Sequence, residues 1–389
     1  MSVLLFIVGL LLFIGLVVVH EFGHFLAARR NGVEVEEFGI FFPPRLYKRK
    51  TKGGWLFTIN ALPLGGFVRL KGEHDSDTEK GSFGAATVWV KTKIMAAGVV
   101  FNLVTALVLF TIVALVGMPK LVDNQFTVKG DTQLVSSRTL IGYVEPGSPA
   151  AKAGLQPRDE LIGINQPGYS PVGISSAKDL PGITKNFAGK KVKVSYIRKG
   201  EHRFAELTLL SKSVVEASRK TDSPKGYLGI VPNDFIFQRS TWSAPVVAVG
   251  FSAQLTALTF QGLGHALSGL GSTIAGLVTG NSEARQKGQT SASEQVAGPV
   301  GIFVVLKEGS VIGYQFILAI IAYISLALAI MNILPIPALD GGRLWLTLIS
   351  RALKRPLSPR AEEAINAAGF FVLISLIVLI TIVDVKRFF

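Results

Sequence analysis

The sequence predicts an α-helical polytopic membrane protein of about four transmembrane helices, with an inserted β-rich domain and a membrane-associated β-hairpin. Three observations carry this. Of 389 residues, 49% are hydrophobic and only 17% charged, with mean hydropathy +0.45. That excludes both an ordinary soluble domain, which has about 25% charged residues, and a disordered chain. Stretches near 2–28, 94–117, 311–334 and 366–383 are each apolar over the ~20 residues that cross roughly 30 Å of hydrocarbon as a helix. Residues 126–212 alternate short β-prone runs with Gly and Pro turns, as strands and turns do. There is no cysteine, so disulfides, thiol nucleophiles and thiolate metal sites are excluded. Any metal must be held by His, Asp or Glu.

The first stretch lacks the basic leader and small-residue cleavage site of a signal peptide, so it reads as a permanent helix. Residues 1–28 carry no Lys or Arg, residues 29–93 carry twelve and residues 335–365 carry five. The positive-inside rule makes the last two segments cytoplasmic and places both termini and the 118–310 insert outside. Lys386 and Arg387 are a small contrary signal. The net charge of +14 is therefore a topology signal beside anionic lipid, and no basic patch with interleaved aromatics suggests nucleic acid. Residues 1–125 form an N-terminal membrane part, 126–212 the β-rich domain, 213–310 a linker and interfacial helical region, and 311–389 a C-terminal membrane part. Within the third, 213–239 and 281–297 read as polar linkers. Ser240 to Ser282 has no charged residue yet is rich in Gly, Ser and Thr, which predicts an interfacial or re-entrant helix pair.

His20-Glu21-Phe22-Gly23-His24 is the HExxH pattern. Residues four apart share a helix face, so His20 and His24 offer two imidazoles to one Zn2+, and Glu21 reaches the attacking water as general base. With five His in the chain, roughly 0.003 chance matches are expected. Ionisable groups at membrane depth are functional by default. At about 1.5 Å per residue, His20 lies ~26 Å along the helix, near its cytoplasmic end. A third ligand is needed at that depth, and Asp340 is the candidate. It closes the run Asn332-Ile-Leu-Pro335-Ile-Pro337-Ala-Leu339-Asp340-Gly341-Gly342. Taken alone, this run also reads as a proline-ended helix followed by an Asp N-cap. Asp340 and the His pair share a side only if an odd number of spans separates their helices, which argues against a full crossing by 240–282.

These residues resemble the site-2 protease family, specifically the bacterial RseP-type intramembrane zinc metalloproteases. The HEFGH run, the run ending at Asp340, a Pro63-Leu64-Gly65-Gly66 turn, Asn102 in the second span and the β-rich insert follow the family's order over essentially the whole chain. Within the insert, SPAAKAGL between two β-prone runs resembles a bacterial PDZ domain, with room for one where RseP-type proteins have two. The resemblance implies that His20, His24 and Asp340 bind zinc and that Glu21 is the base. It further implies that Asn332, Asn102 and Pro335 assist the site or the substrate. The loop from Trp55 to Lys71, two β-prone arms around Gly65 and Gly66, would dip toward the zinc and offer an edge to an unwound substrate.

The expectation is thus a zinc-dependent intramembrane endopeptidase of the bacterial inner membrane, working near the cytoplasmic side of the lipid bilayer. Its substrates would be single-span membrane proteins, such as anti-sigma factors or signal-peptide remnants, already trimmed of their outer domains. The PDZ-like domain would bind peptide ends or act as a size filter. The rival readings are a catalytically inactive PDZ receptor and a metal transporter.

Overall fold

The computed structural model describes residues 2–73, 77–219, 223–279, 298–353 and 358–388. They divide into two units, Met1–Val113 with Ala244–Phe389, and Ala114–Ser243. The expected linker at 281–297 lies outside the described residues.

The first unit is helical. It contains α1 (Ser2–Arg30), α2 (Val88–Val116, whose end passes into the second unit), α6 (Ala244–Thr279), α7 (Pro299–Ile312), α8 (Tyr314–Ile333), α9 (Asp340–Ala352) and α10 (Pro359–Phe388). Five of these, α1, α2, α6, α8 and α10, are long and apolar enough to cross a membrane, against the expected four. The additional one is α6, a single 36-residue helix where a helix pair was expected. Its polarity does not break it, because the hydroxyls of Thr256, Thr259, Ser272 and Thr273 bond back to carbonyls four residues earlier. These four hydroxyls are satisfied inside the helix.

Helix directions follow from their contacts. On α1 and α8, Gly9 meets Ile317 and His20 meets Asp340 just beyond the end of α8, so the two run the same way. Antiparallel to both, α2 sets Ile94 against His24 and Asn102 against His20. Phe251 of α6 packs on Phe110 near the far end of α2, and Gly298 sits at Asp384 near the end of α10. Gly369, fifteen residues before Asp384, rests on Pro337 at the opposite end. Phe251 and Gly298 are therefore at the same end of the bundle. Leu16, Leu306, Ile317, Ile321 and Ile324 form the core at that end; Ala28, Val33, Leu70, Phe83, Ile94, Met95 and Leu344 form the other.

The same unit holds a sheet of two long strands, β1 (Val35–Lys50) and β2 (Leu56–Leu70). The expected hairpin within 55–71 is corrected here. Its two arms are real strands but do not pair with each other. Phe38 pairs with both Val68 and Phe57, Gly39 with both Phe67 and Thr58, so 37–40 lies between the arms, and Lys48 to Lys50 continue the sheet beyond 56–58. Four plies arise from two bent strands. Glu37, buried at its centre, accepts from Thr58 (2.8 Å) and Arg45 (2.7 Å), which supplies the partners a buried carboxylate requires. The exposed Lys and Arg of 45–50 hide this strand from a reading of sequence.

The second unit is a seven-stranded sheet, β3 (Met118–Pro119), β4 (Gln133–Val144), β5 (Glu160–Asn165), β6 (Val172–Gly173), β7 (Lys191–Arg198), β8 (Glu201–Thr208) and β9 (Ile230–Arg239). The order is β3-β9-β4-β5-β7-β8, with β6 on β5. Three short helices complete it: α3 (Pro149–Lys152), capped by Ser148, α4 (Leu180–Asn186) and α5 (Lys212–Ser218). Ile141, Leu161, Ile164, Val192, Val194 and Leu207 lie in its core. One boundary moves: 230–239, expected in a polar linker, is a strand paired along β4 from Val144 to Gln133. Pro232 and the charged Asp234 within it are unusual in a strand, yet Asp234 is bound by Thr139 and Ser176 (both 2.8 Å).

Candidate metal centre

Three helices converge where α1 nears its end. From one face of α1, His20 Nε2 and His24 Nε2 each lie 3.0 Å from Asp340 Oδ2, and 3.3 Å from each other. Asp340 opens α9 directly after the Pro335–Leu339 bend. Among the described residues this is the one cluster of three potential ligands. Donors at 2.0–2.1 Å in a tetrahedral zinc site are spaced about 3.3 Å apart, so the trio fits zinc and leaves a fourth position open, as catalytic sites do.

Two further contacts orient the imidazoles. His24 Nδ1 faces the Ile94 carbonyl at 2.8 Å, which keeps the proton on Nδ1 and turns Nε2 toward Asp340. His20 Nδ1 faces the Asn102 side-chain amide at 3.1 Å, and Asn102 is held in turn at its carbonyl by Ser325 (2.8 Å). Close approach of α1 and α2 depends on small residues. A Cβ on Gly98 would overlap both imidazoles, and one on Gly23 would lie 2.8 Å from the Ala97 carbonyl oxygen.

Glu21 stands beside the trio against β2. The Val68 amide donates to its carboxylate, and a Cβ on Gly66 would come within 3.0 Å of Glu21 Cγ. Gly65 lies over the Phe42 ring. The Pro/Gly segment thus reaches the site as expected, although as a crossover between plies rather than as a hairpin turn. The glycines after Asp340 close the opposite wall: any Cβ on Gly341 or Gly342 would overlap the backbone of 333–337.

His20, Glu21, His24, Asp340, Asn102 and Gly66 are therefore brought together. Asn332 is half-buried in the last turn of α8 without a hydrogen bond to a described residue, and Pro335 is exposed in the bend that leads to Asp340. Missed from sequence were the Ile94 carbonyl, the Val68 amide and Gly98. Main-chain groups carry no residue-type signal, while Gly98, in the small-residue run Ala96-Ala97-Gly98, matched the pattern of a close helix contact.

Comparison with known proteins gives a consistent result. The model of peptidase family M50 matches residues 8–376. A Clostridium perfringens protein named "Putative zinc metalloprotease" is 28% identical, covering 97% of this chain and 98% of its own. Proteins of the same designation from Campylobacter jejuni (29% identical, 96% and 90% covered) and a Nostoc species (30%, 93% and 90%) match over similar lengths.

Proposed function

We propose, for a chain that belongs to peptidase family M50 and is a multi-pass membrane zinc metalloendopeptidase, that His20, His24 and Asp340 hold the zinc and Glu21 is the general base. The spacing of the three donor atoms at 3.0, 3.0 and 3.3 Å carries this reading. Zinc there supplies a Lewis acid for the scissile carbonyl and acidifies water toward a pKa of about 7. Glu21 takes the proton of the attacking water and returns it to the leaving amine, and the Val68 amide keeps its carboxylate aimed while it does so. His20 and His24 stay in the ligating tautomer through Asn102 and Ile94.

The substrate is a single-span membrane protein, cut within its span after its outer domain has been removed. A helix hides its amides in hydrogen bonds, so the segment must unwind before attack. Gly65 and Gly66 leave bare main chain beside Glu21, where an unwound strand can pair. In this reading the site lies near the cytoplasmic face of the bacterial inner membrane, and both termini and the β unit lie outside. The Ser148-capped α3 between strands supports a PDZ-like β unit that admits trimmed substrates. The receptor reading leaves Glu21 without a task. A transporter reading needs a second polar cluster along the path, and among the described residues His20, His24 and Asp340 are the one group of three ligand-type side chains.

The test is cleavage of a panel of tagged single-span substrates by detergent-purified protein, with Glu21→Gln in parallel and zinc measured in both. Turnover by the wild type alone, with equal zinc in each, is expected. Cleavage by Glu21→Gln would remove the proposed base.

A further inference from the structure

A cavity of about 440 Å³ opens on Asp340, walled by Leu339, Arg343, Asn366, Phe370 and Phe371. Its volume falls in the ~300–1,000 Å³ range of ligand sites. One wall is α10, anchored at two points, on α9 and on the bend before it. Glu362 lies 4.0 Å from Arg343, and Gly369 meets Pro337 so closely that any Cβ there would overlap it. Glu362, Asn366 and Gly369 are spaced four and three residues apart and so share one face. Asn366 is thus held between the two anchors and faces the loop that carries Asp340. It is half-buried and makes no hydrogen bond to a described residue. An amide that joins two helices finds a partner across them; this one, half-buried and without a partner among the described residues, borders the candidate metal centre instead.

We propose that this cavity is the subsite for unwound substrate main chain on one side of the scissile bond, and that the Asn366 amide binds one of its peptide units. The inference rests on His20, His24 and Asp340 being the metal centre. Once a transmembrane helix is opened, its freed N–H and C=O groups have little water to pair with and are expensive to leave unpaired. A primary amide is suited to the task, since it offers a donor and an acceptor together and matches a peptide unit. Such pairing ignores the side chains of the substrate. The exposed rings of Phe370 and Phe371 give the adjacent apolar side chains a surface to rest on. The ligand class is therefore an extended, unwound apolar peptide of any sequence.

The test uses full-length protein in detergent and a synthetic single-span peptide, with single amide-to-ester replacements scanned across the positions flanking the cut. Asn366→Ala should lower kcat/KM about five- to tenfold on the all-amide peptide, the loss of one hydrogen bond, and the loss should sit in KM because the bond is present before and during the chemistry. One ester position should reproduce that loss in the wild type and add nothing further in Asn366→Ala. Wild-type kinetics in the variant, or ester losses that multiply with it at every position, would overturn the subsite. So would loss of zinc from Asn366→Ala, which would assign the residue to folding of the loop. Retained cleavage by Glu21→Gln is a separate failure, of the metal-centre reading itself.

Discussion

Gly98 shows how narrow the tolerances are at single residues. Any side chain there takes the space in which His20 and His24 meet, so Gly98→Ala should lower zinc per chain and reduce cleavage by more than tenfold while helix content by circular dichroism stays unchanged. Asn102 acts one bond further out. Its Nδ2 is placed toward His20 Nδ1 while its Oδ1 is buried without a partner. Amide orientation is an assignment from such networks, and an imidazole that ligates through Nε2 must donate from Nδ1, so the oxygen belongs on the His20 side. Asn102→Leu is expected to weaken zinc binding by ~10–100-fold, read by competition with a chelator, while Asn102→Asp, which keeps the acceptor, holds the metal. His20, Glu21, His24 and Asp340 were legible in sequence because the proposed chemistry lies in their side chains. The groups that aim them were not, because Ile94 and Val68 act through main chain and Gly98 by having no side chain.

At the scale of elements, long apolar helices announce themselves, whereas strand partners do not. Both arms of β2 were readable from their β-prone residues. Their pairing was not, because 37–40 inserts between them from a segment whose Lys and Arg resemble a loop. Gly66→Val tests the consequence: with a Cβ already within 3.0 Å of Glu21 Cγ, a branched side chain should displace the base and abolish turnover with zinc retained. In the β unit, Asp159 is buried and accepts from Arg198 Nε (2.7 Å) and Nη2 (2.6 Å). The bidentate carboxylate raises the pKa of the Arg198 guanidinium above its ordinary value. Asp159→Ala strands that cation and should destabilise the unit by about 3–5 kcal/mol in urea unfolding followed by exchange of its core amides. Asp131 ties down the chain leading into α6: the Ser243 hydroxyl, then the Thr241 hydroxyl, with both backbone amides, hold its carboxyl well below the usual carboxylate range. A depressed carboxyl stabilises fully above its unfolded value of about 3.9 and loses that contribution as pH falls through its folded value. Corrected amide exchange at Thr241 and Ser243 should therefore rise between about pH 5 and pH 2 in the wild type, and show no such step in Asp131→Ala.

For the molecule as a whole, the metal is expected to stabilise one unit and not the other. His20, His24 and Asp340 all belong to the helical unit, so zinc at ~1,000 times its Kd adds about 4 kcal/mol there. Chelation should lower the melting transition of the helical unit and leave that of the β unit in place; a uniform shift of both would contradict the assignment of ligands to one unit. The ligands are also far apart along the chain: 316 residues separate His24 from Asp340. At the usual ~5–20 residues per second of synthesis, the ribosome makes Asp340 roughly 15–60 s after the histidine pair. With the proposed ligands, the metal centre therefore stays without its carboxylate for most of the chain's own synthesis, and the protease gains the means to cut only when nearly all of it has been made.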